Sequence, residues 1–459
     1  MAWALRALPI DYIALNPGAS YRGLHDSLVN VLGDLAPSML VCLHEEHAVA
    51  LAHGYAKVTK QPMAVALHSN VGLIHASMAI YNAWCNRAPM LILGATGPVD
   101  ANRRRPWIDW IHTSQDQAAL IRPFIKWDNQ PASVGAALEA ILRAWQTSRR
   151  RPYGPVYVCL DVSLQEQAIT EPINLPDPQR FLPGEPPMPC ESSLDEAARL
   201  LNEARNPVIL AGRVSRDSND WERRVSLAER LGATVLSDLK VAAAFSTEHP
   251  LHPFAPAFRL CDDAIDLLSR ADLILSLDWL DLGGTLYTVW PDGKPTAHVI
   301  HATFDDYAMN GWAMNHQRMA PVDLALDGTP DTVVEALLHR LPNTSTRPQA
   351  SRPPEASRTK DISGLSLDLQ ALAEALNEQL DTQPVSYLRL PLGWPGSACR
   401  FLHPLDYLGY DGGAGIGSGP GMGRGSRPCP QRQRACAPRH PGRRRSHDGN
   451  QRSVDRRPP

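Results

Sequence analysis

Short apolar runs alternate along this chain with longer segments whose apolar residues recur at helical spacing. Such alternation predicts an α/β fold built on parallel sheets. Small and apolar residues at Ala48, Leu51, Ala52 and Tyr55, for example, predict a helix that packs one face tightly. The predicted strands lie within 12–15, 39–43, 63–72, 87–94, 154–158, 207–212, 233–237, 273–277 and 298–301.

The same patterns divide the chain into two complete parallel-sheet domains and the start of a third. We predict the first domain at 1–171 and the second at 190–342, with a proline-rich connection between them. Residues 343–364 are rich in Pro, Ser and Thr and are predicted to be a linker. An amphipathic helix then begins a third domain, 365–423, and the remaining residues, 424–459, are predicted to be a disordered tail.

Length and composition are those of a water-soluble globular protein. A chain of 459 residues is long enough for three domains of ordinary size, and its hydrophobic content is 44%. The sequence contains no apolar stretch of membrane-spanning length and no charged-then-apolar signal pattern at the N-terminus. Eight cysteines without CxxC pairs indicate neither a zinc site nor a disulfide framework. We therefore expect a cytoplasmic protein without membrane contact.

The stretch around Glu45 carries the strongest chemical signal. It places a carboxylate where an apolar strand gives way to a helix, nine residues before Gly54-Tyr55-Ala56. An acid at this position is also what the positive end of a helix dipole favours, so Glu45 alone does not establish a function.

Neighbouring segments strengthen that signal. Their order and spacing over about 160 residues resemble the pyrimidine-binding domain of thiamine-diphosphate (ThDP) enzymes of the acetolactate synthase and benzoylformate decarboxylase group. The segments that carry the resemblance are Asn16-Pro17-Gly18, Glu45 with Gly54-Tyr55-Ala56, Leu67-His68-Ser69-Asn70, Asn82-Ala83-Trp84, Arg122-Pro123-Phe124-Ile125-Lys126-Trp127 and Gly154-Pro155-Val156.

The resemblance implies a 2-oxo acid decarboxylase or carboligase that uses ThDP and Mg²⁺. Glu45 would exchange a proton with N1′ of the aminopyrimidine, and an apolar pocket would raise the pKa of this carboxyl. His68 and His112 would be further catalytic residues, and Asn70 would orient the substrate. Family members place the active site between two chains, so a homodimer or homotetramer is expected. The family's serine after Asn-Pro-Gly is replaced by Ala19, which puts a mandelate-type aromatic substrate in doubt.

The other two domains fit the same family with departures. A glycine-rich run, 411–423, resembles the entrance to the diphosphate-binding domain, where Gly415 and Gly417 would approach the cofactor. The central domain holds a flavin nucleotide in some relatives, but Gly212-Arg213 lacks a full GxGxxG motif and FAD is not indicated. No metal ligand is predicted in this chain, since the family's metal-binding Gly-Asp-Gly motif does not follow the glycine-rich run.

The C-terminal tail is strongly basic. From Arg424 onward eleven arginines oppose two acids, so the tail carries +9 although the whole chain carries −3. A nucleic-acid-binding arm or a non-enzymatic scaffold is one explanation. The alternative that fits better is a frameshift, because reading Pro441–Asn450 one nucleotide out of frame is compatible with Leu-Gly-Asp-Gly-Asp, the family's metal motif. A chain truncated in this way would bind ThDP and Mg²⁺ poorly and be catalytically impaired.

Overall fold

The computed structural model describes residues 1–170, 173–308, 317–343, 368–380, 383, 385–410 and 413–426. Residues 344–364 of the predicted linker and 427–459 of the predicted disordered tail lie outside these residues. The first two residues of that tail, Arg424 and Gly425, are helical instead, because they end the helix Gly419–Gly425. None of the helices within the described ranges is long and apolar enough to span a membrane.

The first domain is built on a six-stranded sheet in the order β2-β1-β3-β4-β6-β5, and every strand pairs in parallel with its neighbours. The predicted α/β class is therefore confirmed. The strands are β1 Tyr12–Leu15, β2 Ser38–Val41, β3 Met63–Ala66, β4 Met90–Thr96, β5 Asp128–Asn129 and β6 Pro155–Asp161. The helices are α1 Ala2–Ala7, α2 Arg22–Ser27, α3 Glu45–Thr59, α4 Ser69–Cys85, α5 Ile108–Ile111, α6 Val134–Arg149 and α7 Val162–Gln165.

Two apolar clusters cover the two faces of this sheet. Because side chains alternate along a strand, Ile13 contributes to one cluster and its neighbour Ala14 to the other. Helix α6 packs on the first face through Trp145, which is fully buried. Helices α3 and α4 pack on the second face. Burial on both faces explains why the strands are continuously apolar in sequence.

The central domain repeats this plan with a five-stranded parallel sheet in the order β11-β10-β9-β7-β8. Its strands are β7 Pro207–Ala211, β8 Thr234–Ser237, β9 Leu273–Leu277, β10 His298–Thr303 and β11 Leu324–Asp327. Its helices are α8 Glu191–Glu203, α9 Ser218–Leu231, α10 Asp262–Ser269, α11 Leu282–Val289 and α12 Pro330–Arg340.

The residues that follow the central domain contact both preceding domains. Helix α13 (Leu369–Leu380) and the segment after it join an apolar cluster with Trp221 of the central domain. Helix α14 (Gly419–Gly425) packs on α3. Glycines allow this close approach, because a Cβ at Gly54 would overlap the carbonyl of Met422, and one at Gly425 would overlap that of Leu51.

Candidate active site

Three predicted strands of the first sheet end at one edge, and polar residues follow each of them. Asn16 comes after β1, His68 after β3, and Glu45 begins α3 shortly after β2. These strands are neighbours and parallel, so their carboxyl ends meet, and this is where open α/β sheets bind ligands.

Glu45 is buried at this edge, with 4% of its surface exposed. Burial raises the pKa of its carboxyl, but the Asn16 side chain, the backbone N–H of Glu45 and the His75 ring donate hydrogen bonds to it. Nδ1 of His75 lies 3.2 Å from Oε2 of Glu45. The net result is a pKa below the ordinary value for glutamate. The predicted raised pKa is therefore wrong, because hydrogen bonds to the charged form outweigh desolvation.

His68 precedes α4 and lies against the loop after β1. Its Nδ1 is 2.9 Å from the hydroxyl of Ser20, which also accepts a hydrogen bond from the backbone N–H of Ser69 at 3.1 Å. Gly18 makes room for this ring, since a Cβ there would lie 2.6 Å from Cβ of His68. Burial and the neighbouring His112 lower the pKa of His68, while Glu45 is near enough to raise it in part. A neutral imidazole at this edge can accept or pass on a proton.

His112 lies beside His68, with ring centroids 4.8 Å apart. Its Nδ1 donates to the backbone carbonyl of Ile108 at 2.8 Å, which leaves Nε2 as the acceptor nitrogen of the neutral ring. Asn70 donates from Nδ2 to the carbonyl of Ile111 at 3.4 Å, so it ties α4 to the segment that carries His112. The structure thus brings together His68, His112 and Asn70, with Glu45 within electrostatic reach of His68. Their roles toward a substrate stay predictions.

Gly415 and Gly417 lie against the first domain of the same chain. The backbone N–H of Gly415 donates to Oδ1 of Asn82 at 3.3 Å, and its carbonyl accepts from Arg389. Gly417 has a φ of +101°, a conformation that favours glycine, and faces the Glu46 carboxylate. A carboxylate beside Gly417 does not favour an anion, so cofactor binding at these two glycines stays a prediction.

One group of side chains among the described residues has the spacing of a metal site: His44, Glu45 and His75. Nδ1 of His44 already accepts a hydrogen bond from the backbone N–H of Glu46, and His75 bonds to Glu45. The Nδ1 atoms of both histidines are therefore engaged, and a metal ion bound through these two atoms would have to replace both hydrogen bonds. No such group lies near the glycine-rich stretch within the described residues. The described residues near the glycine-rich stretch therefore offer no group with the spacing of a metal site, and an aminopyrimidine partner for Glu45 stays a prediction.

Two residues of this site are not predicted from the sequence. Ser20 follows the Ala19 departure and carries no predicted role, yet its hydroxyl contacts His68. His75 carries no predicted role either, yet it contacts Glu45. The available signal for His75 was its helical spacing from Gly72, which places both on the side of α4 that faces Glu45.

Comparison with known proteins agrees with this geometry. The family model described as "Thiamine pyrophosphate enzyme, N-terminal TPP binding domain" matches residues 1–120. The model for the "Thiamine pyrophosphate enzyme, central domain" matches residues 194–337, and the two together cover more than half of the chain. The chain belongs to the thiamine-diphosphate-dependent enzyme family.

The individual relatives are described with different activities. The chain is 25% identical to a Pseudomonas aeruginosa protein described as "Probable 2-ketoarginine decarboxylase AruI", over 87% of this chain and 69% of the relative. It is 28% identical to a sulfoacetaldehyde acetyltransferase of Rhodobacter capsulatus, over 56% of this chain but 42% of the relative. The structure of benzoylformate decarboxylase from Polynucleobacter necessarius matches with a TM-score of 0.75 and 21% identity, over 92% of this chain and 76% of that one, which supports the fold.

Proposed function

We propose that this chain derives from a ThDP-dependent enzyme that decarboxylates small 2-oxo acids or ligates the product to a second carbonyl compound. The observation that carries the proposal is the buried, ionised Glu45 at the carboxyl edge of the first sheet. A carboxylate taken out of water needs a polar partner. Beside it, Gly72 carries no side chain, and a Cβ there would lie 3.1 Å from Oε1 of Glu45.

ThDP, when bound, supplies the carbon at which a 2-oxo acid loses carbon dioxide. The protein residues hold and move protons around that centre. Glu45 would hold the aminopyrimidine through its carboxylate and would exchange a proton with N1′. His68 and His112 hold the substrate carboxylate or deliver a proton to the product, and Asn70 fixes the segment that carries His112.

The experiment that tests this proposal uses a frame-completed protein, defined as residues 1–423 followed by the shifted reading frame. We expect ThDP- and Mg²⁺-dependent release of carbon dioxide from at least one member of a panel containing 2-ketoarginine, benzoylformate and pyruvate. The names of the relatives motivate the first two. A folded protein that releases none from any of the three would overturn the proposed reaction class.

For the chain as written, we expect calorimetry with ThDP and Mg²⁺ to show no tight site. Magnesium requires near-octahedral oxygen ligands, and the described residues of 413–426 contain no carboxylate. The backbone N–H of Gly415, one donor that a diphosphate would need, is already bonded to Asn82. The frame-completed protein provides the control and should bind. A magnesium-dependent isotherm with a micromolar dissociation constant for the chain as written would instead indicate that its C-terminal tail contributes to cofactor binding.

We also expect the frame-completed protein to be at least a dimer. The exposed apolar residues near Glu45, namely Leu43, Val71, Ile74, Met78 and Ile416, form a surface suited to a second copy. Sedimentation should give twice the monomer mass or more, with an interface of roughly 1,200 Å² or larger. Ile74→Asp should shift the protein toward monomer, whereas Val29→Asp, on the opposite side of the sheet, should not. An active wild-type monomer would contradict this expectation.

A further inference from the structure

His75 connects the buried carboxylate of Glu45 to the surface. Its ring lies on α4, one turn after Gly72, with Nδ1 at 3.2 Å from Oε2 of Glu45. The side chain of Glu45 is 5% exposed, whereas that of His75 is 49% exposed. In the single chain the imidazole therefore contacts the carboxylate at one end and is accessible to solvent at the other.

A second histidine restricts the orientation of this ring. His44 stacks on His75 with ring centroids 4.9 Å apart and an interplanar angle of 21°. His44 is itself fixed at the start of α3, where its Nδ1 accepts from the backbone N–H of Glu46 at 3.2 Å. The ring of His75 is thus held by stacking on one face while its Nδ1 points at Glu45.

We propose that His75 is a positioning residue for Glu45: its hydrogen bond holds Oε2 and so fixes the orientation of the carboxylate, with Oε1 against Gly72. This inference rests on the proposed function, because it assigns Oε1 to the cofactor's N1′. Replacing the imidazole of His75 would leave Glu45 buried with one fewer group that stabilises its ionised form.

The other groups that face Glu45 do not replace this interaction. Asn16, from the loop after β1, donates a neutral hydrogen bond. Burial and the Glu45 charge raise the pKa of Tyr21, so its phenol stays uncharged near neutral pH. Burial lowers the pKa of His68, which disfavours its cationic form. Of these groups, His75 both bonds to Glu45 and adds favourable charge to it. Without His75 the Glu45 carboxylate loses a hydrogen bond and a favourable charge, so it takes up its proton at a higher pH.

The test is a carboxyl titration of the chain as written, without cofactor. Glutamate labelled with ¹³C at Cδ reports each side chain by NMR, and Glu45→Gln identifies the resonance of Glu45. We expect the midpoint of Glu45 to rise by about one pH unit in His75→Asn, which keeps a hydrogen-bond donor but removes the charge. His75→Gln, which also lacks the charge, should give the same direction and covers the case in which the asparagine variant folds poorly. A midpoint that does not move in a folded variant would overturn the proposal.

A matched control comes from the central domain. His298 has Nδ1 at 3.9 Å from a carboxylate oxygen of Asp323, with both side chains exposed. His298→Asn should leave the Glu45 midpoint unchanged, and an equal shift in both variants would also reject the specific role of His75. The titration needs no ThDP, so its failure is distinguishable from failure of the decarboxylation assay. A shifted midpoint together with an inactive frame-completed protein would keep the pairing and reject the function.

Discussion

Replacing Glu45 with glutamine in the frame-completed protein should reduce turnover by about 10²- to 10⁴-fold. Glutamine preserves the size of the side chain and one acceptor oxygen, but its amide cannot exchange a proton with N1′. Glu45 is buried, and it is the one carboxylate of the His44–Glu45–His75 group found within the described residues. The measurement is kcat at saturating ThDP, so that weaker cofactor binding is separated from slower chemistry.

Glu46 provides the matched control for that substitution. It is the next residue of α3, and its carboxylate faces Gly417 rather than His75. Glu46→Gln removes one acid from the first turn of the helix, which costs no more than about 1 kcal/mol. We expect turnover within a few-fold of wild type. If Glu45→Gln retained the turnover of Glu46→Gln, Glu45 would have no part in the proton exchange.

Sequence patterns predict the sheet cores of this protein well and its edges poorly. Strands β1 and β9 begin and end where their apolar runs do, because both are buried on both faces. Strand β11 was missed. It contains four residues and lies at the edge of its sheet with only Leu326 buried, so its apolar signal is short and interrupted.

The residues of the candidate site likewise fall into two groups, those that the sequence predicts and those that it does not. Glu45 and His68 were predictable because each sits at a strand end in a local motif. Ser20 and His75 become site residues only through contacts across 48 and 30 positions of sequence. The same contacts reverse the direction predicted for the pKa of Glu45. An apolar helix face indicates desolvation, but it does not indicate which distant side chains donate hydrogen bonds to the carboxylate.

The fold and the polar edge of the first sheet are retained together in this chain. The first two domains keep their buried cores, and the glycine-rich stretch packs on α3. In the proposed enzyme this polar edge would hold the aminopyrimidine. Keeping Glu45 buried there carries a cost in desolvation, which the hydrogen bonds from Asn16 and His75 offset.

The second large effect concerns Arg87, which joins the first domain to the central one. It lies in the turn after α4 with a positive φ of 48°, and its guanidinium bonds to Asp278 at 2.6 Å and to Asp305. The side chains of Arg87 and Asp278 are 16% and 4% exposed. Arg87→Ala would leave two poorly hydrated carboxylates without their main counter-ion. We expect a loss of about 3 kcal/mol in the free energy of unfolding, since Arg213 compensates in part from 3.8 Å and 3.5 Å.

Chemical denaturation followed by tryptophan fluorescence measures this loss, and Arg122 supplies the matched control. Arg122 also pairs with two aspartates, Asp116 at 2.7 Å and Asp128 at 2.9 Å, but its side chain is 46% exposed. Arg122→Ala should therefore cost less than about 1 kcal/mol. Burial raises the pKa of Asp305, but the charges of Arg87 and Arg213 lower it by more, so the net pKa lies below the ordinary value for aspartate. The stability that this carboxylate provides is therefore lost as the pH falls below about 4. The difference between wild type and Arg87→Ala should shrink in the same range. Equal losses in the free energy of unfolding at neutral pH for the two arginine variants would show that the interdomain position of Arg87 does not increase its contribution to stability.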